Sequence, residues 1–317
     1  MPTAMAAIEP TSNRRVLVIF PGALGDLLCL VPAVRAIARR NPGATLELMA
    51  RGELARFAVG WLGFARGHSI DRPEVGHLFA ADECVSEDAR AFFGAFDRIY
   101  SFFAADDPNF RRSLEDASAG RVSFYPFRPP GDGHVARCYL RALGEIDASP
   151  LENRIEFLPQ DVESAARITA HLGLAPHGFI LILPGSGSPT KNWPAANFAA
   201  LAERSAVPSL VLLGPAEAGL KSFFEARNLA VVADLELDEV AGLAHFSRCF
   251  LGNDSGVSHL ASASGARGLV LFGPTDPTRW RPLGDVKVIR RDPLDGLPVA
   301  EVVAALEQLL GEQRSLD

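Results

Sequence analysis

Short continuous runs of apolar residues alternate along this chain with longer stretches of helical periodicity. In the first half, the apolar runs predict four strands, at 15–20, 45–50, 98–103 and 121–125. Amphipathic stretches predict helices near 27–40, 110–117 and 135–143. Strands that are apolar on both faces and separated by helices are typical of a parallel sheet covered on both sides.

The second half repeats this alternation more regularly. Five apolar runs predict strands, at 179–183, 209–213, 230–232, 248–251 and 268–272. Helical patterns fall near 195–204, 216–226, 237–245, 257–264 and 299–310. We therefore expect an α/β protein in which two Rossmann-like domains with parallel sheets face each other.

The rhythm breaks once, between 145 and 159, where proline and glutamate mark the best linker candidate. We expect a loose tail over 1–14, a first domain over 15–150 and a second over 151–317, with the last helix able to pack back on the first domain. A chain of 317 residues with 48% hydrophobic positions supplies enough apolar surface for two cores.

The net charge and its distribution along the chain indicate which classes of molecule the protein binds. The net charge of −7 argues against general binding to nucleic acid. The segment from Arg14 to Arg72, however, contains nine arginines and only four acidic residues. This basic region either suits an anionic substrate or membrane surface, or is an ordinary solvated helix face.

Cysteine usage and hydropathy indicate a cytoplasmic protein. The four cysteines form no C-x-x-C pair, so we expect reduced thiols. The first fifteen residues lack the apolar core of a signal peptide. No apolar run approaches the ~20 residues that a membrane span needs, although peripheral contact with a membrane stays open.

Ligands of open α/β sheets bind beyond the carboxyl ends of the strands, where four conspicuous loops of this chain fall. The first loop, PGALGD, contains Gly22 and Gly25, which permit a tight turn and close backbone approach. It ends at Asp26, at the mouth of a helix. Asp26 is either a first-turn acid that complements the helix dipole or a general base for an attacking hydroxyl.

The second loop, LPGSGSPTKNWP, carries Ser186, Gly187 and Lys191, the first of only three lysines. Backbone N–H groups in such a turn can hold phosphate oxygens, and a lysine adds a compact positive charge. The spacing is not that of a P-loop. Lys191 is therefore either a phosphate ligand or an ordinary surface lysine.

The third loop, GNDSGVSH, follows a strand and opens a helix. We expect Asp254 to cap this helix, and Ser255 and Gly256 to offer N–H groups to an anion. His259 is either part of that site or a satisfied core histidine. The fourth loop, FGPTDPTRW, is a proline-rigid turn with no evident role.

No metal site or cofactor is expected. The chain contains no Asp-x-Asp triplet, and its seven histidines form no H-x-x-x-H pair. These absences disfavour a nucleotide sugar held by a metal ion, so charge on a leaving diphosphate would be met by Lys191 and by helix N-termini.

In order and spacing, these loops resemble the heptosyltransferase family, glycosyltransferase family 9, of bacterial lipopolysaccharide assembly. The matching pieces span nearly the whole chain from Val16 to Pro277: VLVIFPGALGDLLCLVPAVRAI, HVARCYLRALG, ILPGSGSPTKNWPAANFAALA, VLLGPAEA and FLGNDSGVSHLASASGARGLVLFGPTDP. The resemblance implies a GT-B fold whose second domain binds the nucleotide sugar. It also implies inverting, metal-independent transfer from ADP-heptose.

Carried over residue by residue, the resemblance makes Asp26 the catalytic base and Lys191 the phosphate-contacting lysine. It implies a donor site lined by Ser186, Gly187, Asp254, Ser255, Gly256 and His259. It implies less firmly matched contacts from Leu235 to the adenine and from Glu217 to the ribose. We accordingly expect an anionic glycan or glycolipid acceptor, a peripheral contact with the inner membrane, and a monomer.

One departure from the family is informative. Inner-core heptosyltransferases often carry a histidine three residues beyond the aspartate, where this chain has Cys29. The stretch between Glu53 and Arg98 also matches nothing assignable. Two other readings therefore stay open: a sugar-nucleotide epimerase of the same fold, and a catalytically silent binding homologue.

Overall fold

The structure is a computed structural model that describes residues 14–80, 84–145, 151–155, 157 and 162–312. The predicted tail, apart from Arg14, and most of the predicted linker lie outside these residues. The described chain divides into two compact units. The first includes the chain to Gly22, Leu30–Gly131 and the chain from Ala136; the second includes Ala23–Cys29, Asp132–Val135 and the chain from residue 151 on.

The first unit is built on a five-stranded parallel sheet in the order β3-β2-β1-β4-β5. Its strands are β1 (Arg15–Ile19), β2 (Thr45–Ala50), β3 (Arg66–Ser69), β4 (Arg98–Ser101) and β5 (Val122–Phe124). The helices in this half of the chain are α1 (Leu24–Arg40), α2 (Gly52–Trp61), α3 (Pro73–His77), α4 (Glu87–Phe93), α5 (Pro108–Ala117) and α6 (Val135–Ala142). The central strand β1 is buried from Val16 onward, as its unbroken apolar run requires.

A charged residue lies inside this sheet. The Glu47 side chain, on β2, is only 1% exposed and accepts two hydrogen bonds from Arg15, of 2.8 and 3.0 Å. It also lies 2.7 Å from His68 Nε2, on β3. Burial by itself would raise the pKa of Glu47, but the hydrogen bonds from Arg15 and His68 outweigh it and lower that pKa.

This cluster predicts a pH-dependent contribution to stability. A lowered pKa means that the stabilisation is present above the ordinary glutamate value and is lost as the pH falls through the folded-state pKa. We expect Glu47→Gln to lower the unfolding free energy at pH 7 by about 2–4 kcal/mol. This loss is smaller than the loss from breaking a fully buried ion pair, because Arg15 is partly exposed to solvent. The difference between the two proteins should shrink below about pH 4.

Urea unfolding of wild type and variant at several pH values measures this difference. Glu301→Gln is the matched control, since Glu301 pairs with Arg291 but both side chains are nearly half exposed. A Glu47→Gln difference that stays constant from pH 7 to pH 3 would contradict the assignment.

The second unit is built on a six-stranded parallel sheet in the order β11-β10-β9-β6-β7-β8. Its strands are β6 (Ile180–Leu183), β7 (Ser209–Leu213), β8 (Ala230–Ala233), β9 (Cys249–Asn253), β10 (Gly268–Phe272) and β11 (Val286–Arg290). Its helices are α7 (Glu163–His171), α8 (Ala195–Arg204), α9 (Lys221–Glu225), α10 (Leu237–Phe246), α11 (Gly256–Ala263), α12 (Pro277–Trp280) and α13 (Val299–Gly311). Short 3₁₀ turns lie at Pro189–Lys191, Pro215–Leu220 and Leu294–Gly296.

The terminal helix α13 belongs to the core of this second unit. Its buried side chains Val302, Leu306 and Leu309 share one apolar cluster with Trp193 and residues of the central strands. The Trp193 indole N–H donates to Leu297 O at 3.0 Å, so this large side chain is buried with its polar atom satisfied.

The predicted α/β class with two parallel sheets is confirmed, and every predicted strand is present with ends shifted by three residues or fewer. The sequence missed α2, α3, α4, α7, α12, β3 and β11. Among the residues that the structure describes, every helix is too short or too polar to cross a lipid bilayer.

Candidate active site at the strand ends of the second unit

The loop after β6 contains a left-handed glycine and a short turn that ends at a lysine. Gly187 has φ +71°, a left-handed conformation that favours glycine. The 3₁₀ turn that follows ends at Lys191. The Ser186 hydroxyl lies 2.5 Å from Asn192 Oδ1 and 2.8 Å from Ser188 O. Because this hydroxyl is engaged inside the loop, Ser186 can offer a ligand its backbone more readily than its side chain.

Asn253, at the end of β9, holds both ends of this loop. Its amide Nδ2 donates to Pro184 O at 2.7 Å, and its Oδ1 accepts from the Trp193 N–H at 3.1 Å. The side chain is fully buried, so breaking either bond would leave a polar group without water. Sequence reasoning missed this residue, although an asparagine that closes an apolar strand is a signal of such a role.

Lys191 and Asp254 form an ion pair. Lys191 Nζ lies 2.7 Å from Asp254 Oδ2, with the lysine side chain 32% exposed and the aspartate 7%. The expectation that Asp254 caps α11 is wrong. The N-cap is Ser255, whose hydroxyl accepts from the Ser258 N–H at 3.3 Å. This shift by one residue leaves the Asp254 carboxylate available to orient the lysine beside the helix N-terminus.

Asp26 occupies the first turn of α1, within the segment 23–29 that clusters with the second unit. Its Oδ2 accepts a long hydrogen bond, 3.4 Å, from the Ala23 N–H. It therefore has the helix-capping contact, and it is also only half buried. The capping contact and the proposed role as base are compatible.

The starts of α1 and α11 touch through two glycines. A Cβ on Gly25 would lie 3.4 Å from Gly256 Cα and 3.2 Å from His259 Cδ2. A Cβ on Gly256 would lie 3.2 Å from Gly25 N. Gly25, which was predicted to permit close backbone approach, therefore packs against Gly256, and the first turn of α1 lies against the start of α11.

Burial and nearby charges shift the pKa values of two residues at this contact, Cys29 and His259. Burial raises the pKa of the Cys29 thiol, and the nearby charges of Asp26 and Asp254 raise it further. Burial also lowers the pKa of His259 to about 4, assisted by His134 and Lys191 and opposed by Asp254. His259 is therefore a neutral imidazole at physiological pH, and it cannot serve as a cation for phosphate.

Glu217 lies against the loop after β6. Its carboxylate carbon would be 2.3 Å from a Cβ on Gly185, and Oε2 would be 3.0 Å from one on Gly214. The predicted ribose-binding acid is thus at the loop after β6. Leu235 lies half buried two residues after β8, on the same sheet. Gly22 is buried and belongs to the first unit.

The fourth loop, which had no predicted role, contributes backbone to this site. His134 Nε2 donates to Arg281 O at 2.7 Å, and the His259 ring bonds to the Trp280 backbone. Residues 132–135 cluster with the second unit. Sequence reasoning missed His134 as a site neighbour, although it opens the motif HVARCYLRALG.

The second unit therefore gathers a carboxylate at a helix start, a lysine held by a second carboxylate, and another helix N-terminus. Backbone N–H groups and a lysine suit a diphosphate, whereas a partly exposed carboxylate suits proton removal. Within the described residues, no group of three or more His, Cys, Asp or Glu side chains is arranged to hold a metal ion.

Comparison with known proteins identifies a matching family and a curated relative. The model of glycosyltransferase family 9, the heptosyltransferases, matches residues 136–305. The chain is 25% identical over 219 residues to lipopolysaccharide heptosyltransferase 3 of Escherichia coli. That alignment covers 60% of this chain and 64% of the relative, so just under two thirds of the relative's length is matched.

Solved structures share the fold. A family 9 glycosyltransferase from Veillonella parvula superposes with a TM-score of 0.77 at 18% identity, over 95% of this chain and all of that one. The E. coli ADP-heptose lipopolysaccharide heptosyltransferase II gives 0.69 at 20% identity, over 93% and 98% of the two chains. The predicted GT-B fold class is confirmed by this likeness.

Proposed function

Because the chain belongs to glycosyltransferase family 9, the heptosyltransferase family, we propose that it is an inverting, metal-independent glycosyltransferase. In this proposal it moves heptose from ADP-heptose to a hydroxyl of a lipopolysaccharide-core or related glycan. The observation that carries the proposal is the contact between the start of α1, with Asp26, and the start of α11, beside the Lys191–Asp254 pair.

Asp26 is the proposed general base. As the acceptor oxygen bonds to the anomeric carbon, its proton passes to the Asp26 carboxylate. The bond from the anomeric carbon to the diphosphate breaks on the opposite face of the sugar, and ADP leaves. One such displacement inverts the configuration at that carbon.

Lys191 and the first N–H groups of α11 are the proposed diphosphate ligands. A helix N-terminus attracts anions, and the lysine adds a full charge where negative charge develops on the leaving group. Glu217, against the same loop, is the proposed ribose ligand, and Leu235 the proposed neighbour of the adenine. Asp254 orients Lys191.

The relatives support ADP-heptose as the donor, since the E. coli enzyme of similar fold is named for it. The arginine-rich region from Arg14 to Arg72 supports an anionic glycan or glycolipid acceptor. With such an acceptor, the enzyme would act in the cytoplasm, in peripheral contact with the inner membrane.

Mass spectrometry of purified protein incubated with ADP-heptose and candidate acceptors tests the proposal. We expect donor consumption and a heptosylated product with inverted anomeric configuration, and we expect both to persist in EDTA. ADP-glucose serves as the matched control donor.

Other outcomes would replace the proposal. Donor turnover to an isomeric nucleotide sugar without acceptor would indicate the epimerase reading. Tight ADP-heptose binding without any turnover would indicate a silent binding homologue. Activity abolished by EDTA and restored by magnesium would overturn metal independence.

A further inference from the structure

Two buried side chains connect the helix of the proposed base to the helix of the donor site. Cys29, one turn after Asp26 on α1, has its Sγ 3.6 Å from Nδ1 of His259 on α11. Both residues are at most 4% exposed. At this burial, neither is accessible as a nucleophile or as a direct ligand of the donor.

The hydrogen-bond directions follow from the protonation states. Burial keeps the Cys29 thiol protonated and the His259 ring neutral. The thiol therefore donates to Nδ1, which must be the unprotonated ring nitrogen. The remaining ring N–H is then the donor to the Trp280 backbone, so His259 is satisfied on both sides and held in one tautomer.

We propose that Cys29 and His259 are positioning residues, which hold the first turn of α1, and Asp26 within it, in register with the start of α11. This proposal rests on the proposed function, and it withdraws His259 from the donor ligands. The connection continues through Trp280 to the loop after β10, whose role was otherwise unassigned.

The geometry explains why this position is sensitive. Residues three apart on a helix lie on the same face, so a shift of Cys29 carries Asp26 with it. Gly25, which immediately precedes Asp26, packs against His259 and Gly256 and has no side chain to buffer that shift. Misplacement of a catalytic group by about 1 Å can slow a reaction by about 100-fold.

The test compares Cys29→Ala, which removes the donor, with Cys29→Ser, which keeps one. We expect Cys29→Ala to lower kcat by about tenfold or more with unchanged affinity for ADP, and Cys29→Ser to recover most of the loss. The matched control is Cys249→Ala, which removes the same atoms from a buried position in β9.

Hydrogen exchange supplies a readout that does not depend on turnover. Peptides that cover residues 24–29 should exchange faster in Cys29→Ala than in wild type, Cys29→Ser or Cys249→Ala. Unchanged exchange together with unchanged kcat would overturn the proposal, and so would a kcat loss that Cys249→Ala reproduces. If wild type transfers no heptose, the proposed function fails, while hydrogen exchange still decides the positioning role.

Discussion

Turnover of Asp26→Asn should fall by about 10²- to 10⁴-fold, although the protein should still fold. Asparagine has nearly the same size, and its Oδ1 can still accept from the Ala23 N–H. It cannot take the acceptor's proton, and general-base catalysis is worth about that factor, or ~3–5 kcal/mol of transition-state stabilisation. Affinity for ADP should change little, because the proposed diphosphate ligands are untouched.

A single purified sample gives both melting temperature and turnover. Asp107→Asn is the matched control, since Asp107 caps α5 through Phe110 and has no proposed catalytic role. If Asp26 only caps α1, its variant should resemble this control, with at most ~2 kcal/mol of stability lost and near-normal turnover. Full activity in folded Asp26→Asn would rule out Asp26 as the base.

Lys191→Ala should weaken ADP binding by about 10- to 100-fold. A hydrogen bond to a charged partner contributes ~1.5–3 kcal/mol, which corresponds to roughly that range. Removal of the lysine also leaves the buried Asp254 carboxylate beside the proposed diphosphate site, where like charges would repel. The double variant Lys191→Ala/Asp254→Asn should therefore bind ADP more tightly than Lys191→Ala.

Calorimetric titration with ADP at two salt concentrations checks these affinities. Lys221→Ala is the control, because Lys221 is exposed and pairs only loosely with Glu225, at 4.0 Å. Equal ADP affinity in wild type and folded Lys191→Ala would exclude the lysine from the diphosphate site.

The parts of the fold that sequence predicted are those where apolar runs are long. Strands such as β1 and β10 are buried on both faces and contain the continuous apolar runs VLVI and LVLF. By contrast, β3 has the sequence RGHS, and its backbone is recruited to the sheet edge by pairing with β2 rather than by apolar side chains. The mixed burial of β11 has the same effect on its pattern.

Prediction of the site depended on whether a residue's role is local. Asp26 and Gly256 follow from strand-loop-helix spacing, which the sequence displays. The partner of Lys191 is 63 residues away, and the partner of Cys29 is 230 away. Asp254 was misassigned as a cap because neighbouring aspartate and serine are both good N-cap residues, and only backbone geometry decides between them.

The amide of Asn253 anchors the loop after β6 at both of its ends. Pro184 and Trp193 are both hydrogen-bonded to the Asn253 side chain. The two ends of the loop are therefore held in place independently of the residues between them. We expect a substitution at an exposed position of this loop, such as Thr190, to leave the sheet undisturbed. A designer could therefore alter the exposed part of this loop while keeping the two hydrogen bonds that anchor it.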